Sequence, residues 1–199
     1  MLKIYGDILS GNCYKIKLLT SFLSLEHEWI AVNILAGDTK SAEFLAKNPN
    51  GKIPLVELDH GEYLSESNAI LNYFAEGTDY LPTGKYERAK VLQWQFFEQY
   101  SHEPYIAVAR FINKYLGMPE ERKGEYHKLQ SGGHRALMVM ETQLQKTPYL
   151  IGENLTIADI SLYGYTHVAE EGGFDLSIYT GVQNWIERIQ KHPKYLGMK

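Results

Sequence analysis

Only one of the 199 residues is a cysteine, Cys13, so the chain can form neither an internal disulfide nor, by itself, a thiolate zinc site. Any sulfur chemistry therefore needs a thiol brought in by a partner. Long apolar runs are missing as well: none approaches the roughly 20 residues of a membrane span, and the opening MLKIYGD lacks the apolar stretch of a signal peptide. A cytoplasmic protein with no membrane partner is expected. Charge of one sign is also lacking, since 20 Lys+Arg stand against 24 Asp+Glu with a net of −4. The lack of a basic run argues against a general nucleic-acid or anionic-membrane surface. Absent too are G-x-G-x-x-G after the first strand, a P-loop, H-E-x-x-H, C-x-x-C and G-x-S-x-G. Dinucleotide, nucleotide, zinc and hydrolase chemistry lose their usual signatures together, and no metal is expected.

What is present is a folded chain, 44% apolar and 22% charged, long enough for one large domain or two small ones. Charge is uneven: residues 1–80 hold 6 Lys+Arg and 11 Asp+Glu, a net of −5, while residues 81–199 net +1. The first part reads as short strands and helices in the order βαβαββα. Strands are expected at 2–7, 28–35, 54–58 and 62–65, the last two joined by the turn Asp59-His60-Gly61. Helices are expected over 13–25, 41–47 and 67–76. The stretch 77–84, with Pro82 and two glycines, is the candidate linker, so the domains should span 1–78 and 86–199.

Beyond the linker the strand signal vanishes. Helices are expected over 86–115 and 120–146, the second opening at Pro119, and over 181–191 before Pro193. Thr156-Ile-Ala-Asp159 has the form of a capping box, with Leu155 and Ile160 as its hydrophobic staple, which predicts a helix over about 156–170. The fold class is thus an α/β domain followed by an all-α one.

Three segments carry chemistry: Ser10-Gly-Asn-Cys13 at the first strand-to-helix turn, Asn50-Gly-Lys-Ile-Pro54 before the third strand, and Glu66-Ser67-Asn-Ala-Ile70 opening the third helix. Together with the element order they resemble the glutathione S-transferase family, with its thioredoxin-like N-terminal domain and helical C-terminal domain. The likeness extends over the whole chain and is nearest to serine-using bacterial or theta-like members.

The resemblance implies a homodimeric enzyme that binds glutathione as co-substrate and attacks an electrophilic apolar molecule, as in detoxification. It implies a cis bond before Pro54, with the backbone of Ile53 pairing the peptide as an added strand would. Glu66 would take the ligand's ammonium, and Ser67 with the helix end its α-carboxylate; plain capping by Ser65 or Ser67 is the competing explanation. Lys52 and Lys40 would meet the glycine carboxylate, or else are solvated surface lysines. Ser10 would be the catalytic residue. Lowering a thiol from about 8.5 to about 6.5 needs roughly 2.7 kcal/mol. A hydroxyl donor to the anion supplies about 1.5–3 kcal/mol, and a helix N-terminus about 0.3–1 kcal/mol more.

Cys13 aligns with the second position of C-x-x-C and is expected as a small buried residue, with a redox role, its pKa lowered near the helix N-terminus, as the lesser alternative, and Tyr5 is a weaker rival to Ser10. The helical part should form the acceptor-substrate wall, near Trp94, Phe97, Tyr100, Tyr105 and Phe111. His102 is expected in solvent, and Glu98 to touch the ligand ammonium across a dimer interface. Two rival readings stand beside the transferase: a non-catalytic binding or dimerisation module, and a specialised glutathione-dependent isomerase, dehalogenase or peroxidase.

Overall fold

A computed structural model describes residues 1–198. The chain divides into two compact units, Gly77–His192 and a first unit of Met1–Glu76 joined by the segment from Pro193. The sequence places that last segment with the helical domain, but its bonds tie it to the first unit. The Tyr14 hydroxyl donates to the Leu196 carbonyl (2.8 Å), and Lys194 Nζ donates to the Phe22 carbonyl (3.1 Å) and to Ser24 Oγ (2.7 Å). A cation at the carbonyl end of a helix is where its dipole favours one.

The first unit runs β1 (Lys3–Gly6), α1 (Gly11–Leu23), β2 (Glu28–Ala31), α2 (Ala42–Lys47), β3 (Leu55–Glu57), β4 (Tyr63–Ser65) and α3 (Ser67–Ala75). The sheet order is β2-β1-β3-β4. β1 and β2 are parallel, which requires the crossover that α1 provides, while β1–β3 and β3–β4 are antiparallel. β2 ends earlier than expected. Asn33 Oδ1 accepts from the N–H groups of Leu35 and Ala36, and Asp38 accepts from Asn33 N–H, so side chains claim the backbone groups that a longer strand would use.

Alternation along the strands serves two faces. Tyr5 and Leu55 pack with Val32 and Phe44 of α2, which cover one face. Ile4 and Val56 point the other way and are fully buried, as are Ile16, Leu19, Ile70 and Leu71 of the neighbouring helices α1 and α3. Gly6 permits this approach: a Cβ there would lie 2.8 Å from Cys13 Sγ.

The second unit is helical: α4 (Lys85–Phe97), α5 (Glu103–Arg110), α6 (Lys123–Leu144), α7 (Ile157–Thr166) and α8 (Thr180–Gln190). The single helix expected over 86–115 is instead interrupted by π turns at Glu98–His102 and Phe111–Tyr115. Pro104 lies in the first turn of α5 and brings no N–H, and the wider turn ahead of it closes through Glu103 N–H to the Glu98 carbonyl. α7 begins with the expected capping box. Asp159 there is fully buried and also accepts from Leu150 N–H and Trp185 Nε1–H, each at 2.9 Å.

Candidate functional site

Ser10 is the N-cap of α1, extended at φ −73°, ψ 124°, and its oxygen accepts from Cys13 N–H at 3.4 Å. The residue is half-buried. Accepting through oxygen leaves the hydroxyl hydrogen to be donated elsewhere, at a helix end that favours negative charge. Cys13 is fully buried, and burial pushes its thiol up to about 12 despite the opposing Ser10 hydroxyl. That thiol is a packing group of α1 and carries no nucleophilic sulfur to the surface. Tyr5 is committed elsewhere as well: its hydroxyl donates to Glu57 Oε2 at 2.7 Å, and burial together with that bond raises its pKa.

The second helix end is α3. Its N-cap is Glu66, exposed, at φ 67° and ψ 112°, and the Glu66 side chain makes no capping bond. A non-glycine residue at this positive φ is strained, a condition found disproportionately at ligand sites. Ser67 is buried and its hydroxyl donates to Asn12 Oδ1 at 3.2 Å. It is therefore turned toward α1, and the helix end presents backbone N–H groups instead. Asn12 Oδ1 also accepts from the buried Lys15 Nζ at 2.8 Å, and Lys15 donates to Ser67 Oγ at 3.4 Å. Lys15 does not stand out in the sequence, because it occupies an ordinary helical place, and Asn12, though inside the Ser10–Cys13 segment, has no role assigned there.

The loop from Asn48 to Pro54 joins these ends. The Ile53–Pro54 bond is cis. Gly51 has φ +61°, and a Cβ there would meet Lys40 Nζ at 2.9 Å and the Thr39 carbonyl at 3.0 Å. Lys40 Nζ donates to the Gly51 carbonyl at 3.3 Å, Asn48 Nδ2 to the Lys52 carbonyl at 2.7 Å, and Asn50 Nδ2 to Glu66 Oε1 at 3.5 Å. Lys40 is thus fastened to the loop that carries Lys52 and Ile53, and the loop reaches Glu66. Both lysines are exposed.

Two expectations in the helical unit are overturned. His102 is fully buried, with Nε2 2.9 Å from Thr166 Oγ1. Glu98 is fully buried too and accepts from Gln99 Nε2 at 2.8 Å, so its carboxylate is unavailable to a second subunit. Both lie in the first π turn. Among the aromatics, Trp94 is buried and Tyr100 is 80% exposed, while Phe97 and Tyr105 line a groove with Gly132 and Val139. Among the described residues no cluster of three His, Cys, Asp or Glu could hold a metal ion, and no helix is long and apolar enough to cross a membrane.

Residues 1–76 match the N-terminal domain and residues 93–193 the C-terminal domain of glutathione S-transferases. A glutathione S-transferase structure from Pseudomonas fluorescens Pf-5 is 63% identical with a TM-score of 0.98, covering 99% of this chain and 98% of that one. One from Xanthobacter autotrophicus Py2 is 44% identical with a TM-score of 0.96, covering 100% and 97%. The disulfide-bond oxidoreductase YfcG of Escherichia coli K12 is 34% identical over 190 residues, 92% of this chain and 87% of that protein. By both domain matches and by likeness along nearly its whole length, the chain belongs to the glutathione S-transferase family.

Proposed function

We propose that the protein binds glutathione in its first unit, holds the sulfur as thiolate at Ser10, and directs it at an electrophilic, mostly apolar small molecule. The observation that carries this reading is Ser10 itself: a half-buried hydroxyl at the mouth of α1, its oxygen capping Cys13 N–H at 3.4 Å, at a helix end that favours negative charge. The exposed Glu66 carboxylate takes the ligand ammonium, the N–H groups opening α3 take the α-carboxylate, Ile53 pairs the peptide backbone, and Lys52 with Lys40 meets the glycine carboxylate. In the reaction the sulfur lone pair forms a C–S bond while the leaving group departs with the electrons of the bond that breaks. Positioning and thiolate activation are the main catalytic terms.

A homodimer in the cytoplasm, acting in detoxification, completes the proposal. Leu92, Phe96 and Tyr100 form an exposed stripe on the second unit, with Met138 and Val139 exposed on α6, an apolar surface suited to a second copy. The test is conjugation of glutathione to 1-chloro-2,4-dinitrobenzene and a panel of alkyl halides and epoxides. Retention on immobilised glutathione with no turnover of any acceptor would replace the enzyme by a binding module.

The likeness to YfcG supports a second reading, thiol–disulfide exchange with glutathione as the source of sulfur. The bound thiolate would attack one sulfur of a disulfide, expelling the other as thiolate, and a second glutathione would release the mixed disulfide as glutathione disulfide. Because Cys13 is buried, this route also depends on glutathione thiolate rather than a protein thiol. Turnover of 2-hydroxyethyl disulfide exceeding that of every carbon electrophile would select it.

A further inference from the structure

Lys15 lies one turn into α1 and is fully buried. Lysines are almost never buried without strong partners, because an ammonium removed from water must recover its hydration in hydrogen bonds. Two of its partners are Asn12 Oδ1 at 2.8 Å and Ser67 Oγ at 3.4 Å, and Ser67 Oγ donates in turn to Asn12 Oδ1 at 3.2 Å. These three groups close a triangle that fastens the first turn of α1, where Ser10 stands, to the first turn of α3. Neither the activation of sulfur by Ser10 nor the capture of the ammonium by Glu66 uses this triangle.

We infer that Lys15 is a positioning residue for the α-carboxylate of glutathione, setting the N–H groups that open α3 at a fixed place relative to Ser10. The inference rests on the proposed assignment of Glu66 and Ser67 to the γ-glutamyl end. The Ser67 hydroxyl hydrogen is spent on Asn12, so the carboxylate depends on backbone donors, and those point wherever the helix end points. That end begins from Glu66 at φ 67°, a conformation that persists only when its surroundings hold it. An ammonium has three donors and can grip both oxygens at once; an apolar side chain of equal length grips neither.

The experiment compares Lys15→Met with wild type on two thiol substrates, glutathione and 4-aminobutyryl-cysteinylglycine, which keeps the amine and sulfur but lacks the α-carboxylate. Wild type should favour glutathione in kcat/KM by about tenfold or more, the worth of a charge-assisted contact. In Lys15→Met that preference should shrink about fivefold or more through the KM of glutathione, with kcat at saturation within about threefold. Equal preference in both proteins would overturn the role of Lys15 while leaving the carboxylate assignment standing. Loss of activity in equal proportion on both substrates would reduce Lys15 to a structural residue and also overturn it. No preference in wild type would instead refute the γ-glutamyl assignment itself. If Lys15→Met does not fold, Asn12→Ala removes the oxygen on which Lys15 and Ser67 meet, and the same loss of preference is required of it.

Discussion

Replacing Ser10 by alanine separates the two uses of its hydroxyl. As donor to the glutathione thiolate it contributes about 1.5–3 kcal/mol, which is about 1–2 pH units of thiol acidity. A bound thiol titrating near about 6.5 in the wild type should therefore titrate near about 7.5–8.5 in Ser10→Ala. At a pH of about 6.5 the thiolate fraction, and turnover with it, falls about 5- to 50-fold, and the deficit closes as pH rises past the new pKa. Glutathione affinity changes little, because the remaining contacts belong to the Asn48–Pro54 loop and the start of α3. The same oxygen caps Cys13 N–H, though at 3.4 Å. An alanine cap costs about 0.5–2 kcal/mol of stability, but a glycine only a few tenths. Ser10→Gly should hence show the full titration shift with a nearly native melting temperature, and Ser10→Thr should retain both properties. The assay is the ultraviolet thiolate absorbance of the glutathione complex across pH, read beside kcat/KM and a thermal melt. A thiol that titrates in Ser10→Ala as it does in wild type would refute the role of the hydroxyl.

Four other perturbations follow from the geometry. Cys13, with its thiol pushed up to about 12 by burial, should react with iodoacetamide at neutral pH at least about a thousandfold more slowly in the native protein than in the unfolded chain; equal rates would put it at the surface. Glu141 of α6 accepts from Gly181 N–H at 3.0 Å and Val182 N–H at 2.9 Å, and these bonds with those from Gln145 and Thr180 outweigh burial and hold its carboxyl below the ordinary range. Glu141→Ala should cost about 2–3 kcal/mol in urea unfolding by uncapping α8, and a loss under about 0.5 kcal/mol would contradict this. His167, stacked on Tyr163 at 4.5 Å, is driven down by burial to about 4 from 6.5, so its neutral form is the folded one. Its share of stability is complete above the unfolded pKa and fades, by up to about 3 kcal/mol, as pH falls from 6.5 to 4; His167→Phe should flatten that limb, and an unchanged slope would show other groups responsible. Lys52→Ala should raise the KM for glutathione about two- to fivefold at low salt and hardly at all near about 1 M salt, as for an exposed charge contact; a difference that survives salt would rule out a charge role.

The parts of the site that repeat a local rule were legible. Thr156 and Asp159 announced α7 because a capping box is a short-range pattern, and the glycine and proline of Gly51-Lys-Ile-Pro54 marked a turn with a special backbone. Ser10 was legible for the same reason, as a hydroxyl where a strand gives way to a helix. Lys15 and Asn12 were not, since their meaning depends on α3, which is remote in sequence and lies beside α1 only in the fold. The hydroxyl of Ser67 could not be aimed for the same reason. Nor could the burial of His102 and Glu98 be read in advance, because both lie in a π turn that departs from the regular helical repeat.

For a domain with a net charge of −5 over residues 1–80, holding an anionic tripeptide as proposed turns on where its cations stand rather than on how many there are. Lys3 pairs with Glu57 at 2.9 Å, Lys47 with Glu43 at 2.9 Å, and the N-terminal ammonium with Asp59 at 2.8 Å, so much of the acid is balanced on the far strands and α2. Of the remaining four lysines, Lys15 is bonded to Ser67 at the start of α3 and Lys40 to the Gly51 carbonyl of the loop, which also carries the exposed Lys52. At an ionic strength of about 0.15 M charges more than about 8 Å apart are largely screened at the surface. On the proposed reading the ligand meets Lys40, Lys52 and two helix ends, with the buried Lys15 acting through α3, and the distant surplus acts on it weakly. The acid that does reach the site is Glu66, and there it is useful, because the γ-glutamyl end presents an ammonium beside its carboxylate. A site that reads both charges within one amino-acid head needs a carboxylate next to anion-binding donors, and at the start of α3 the exposed Glu66 stands at a helix N-terminus.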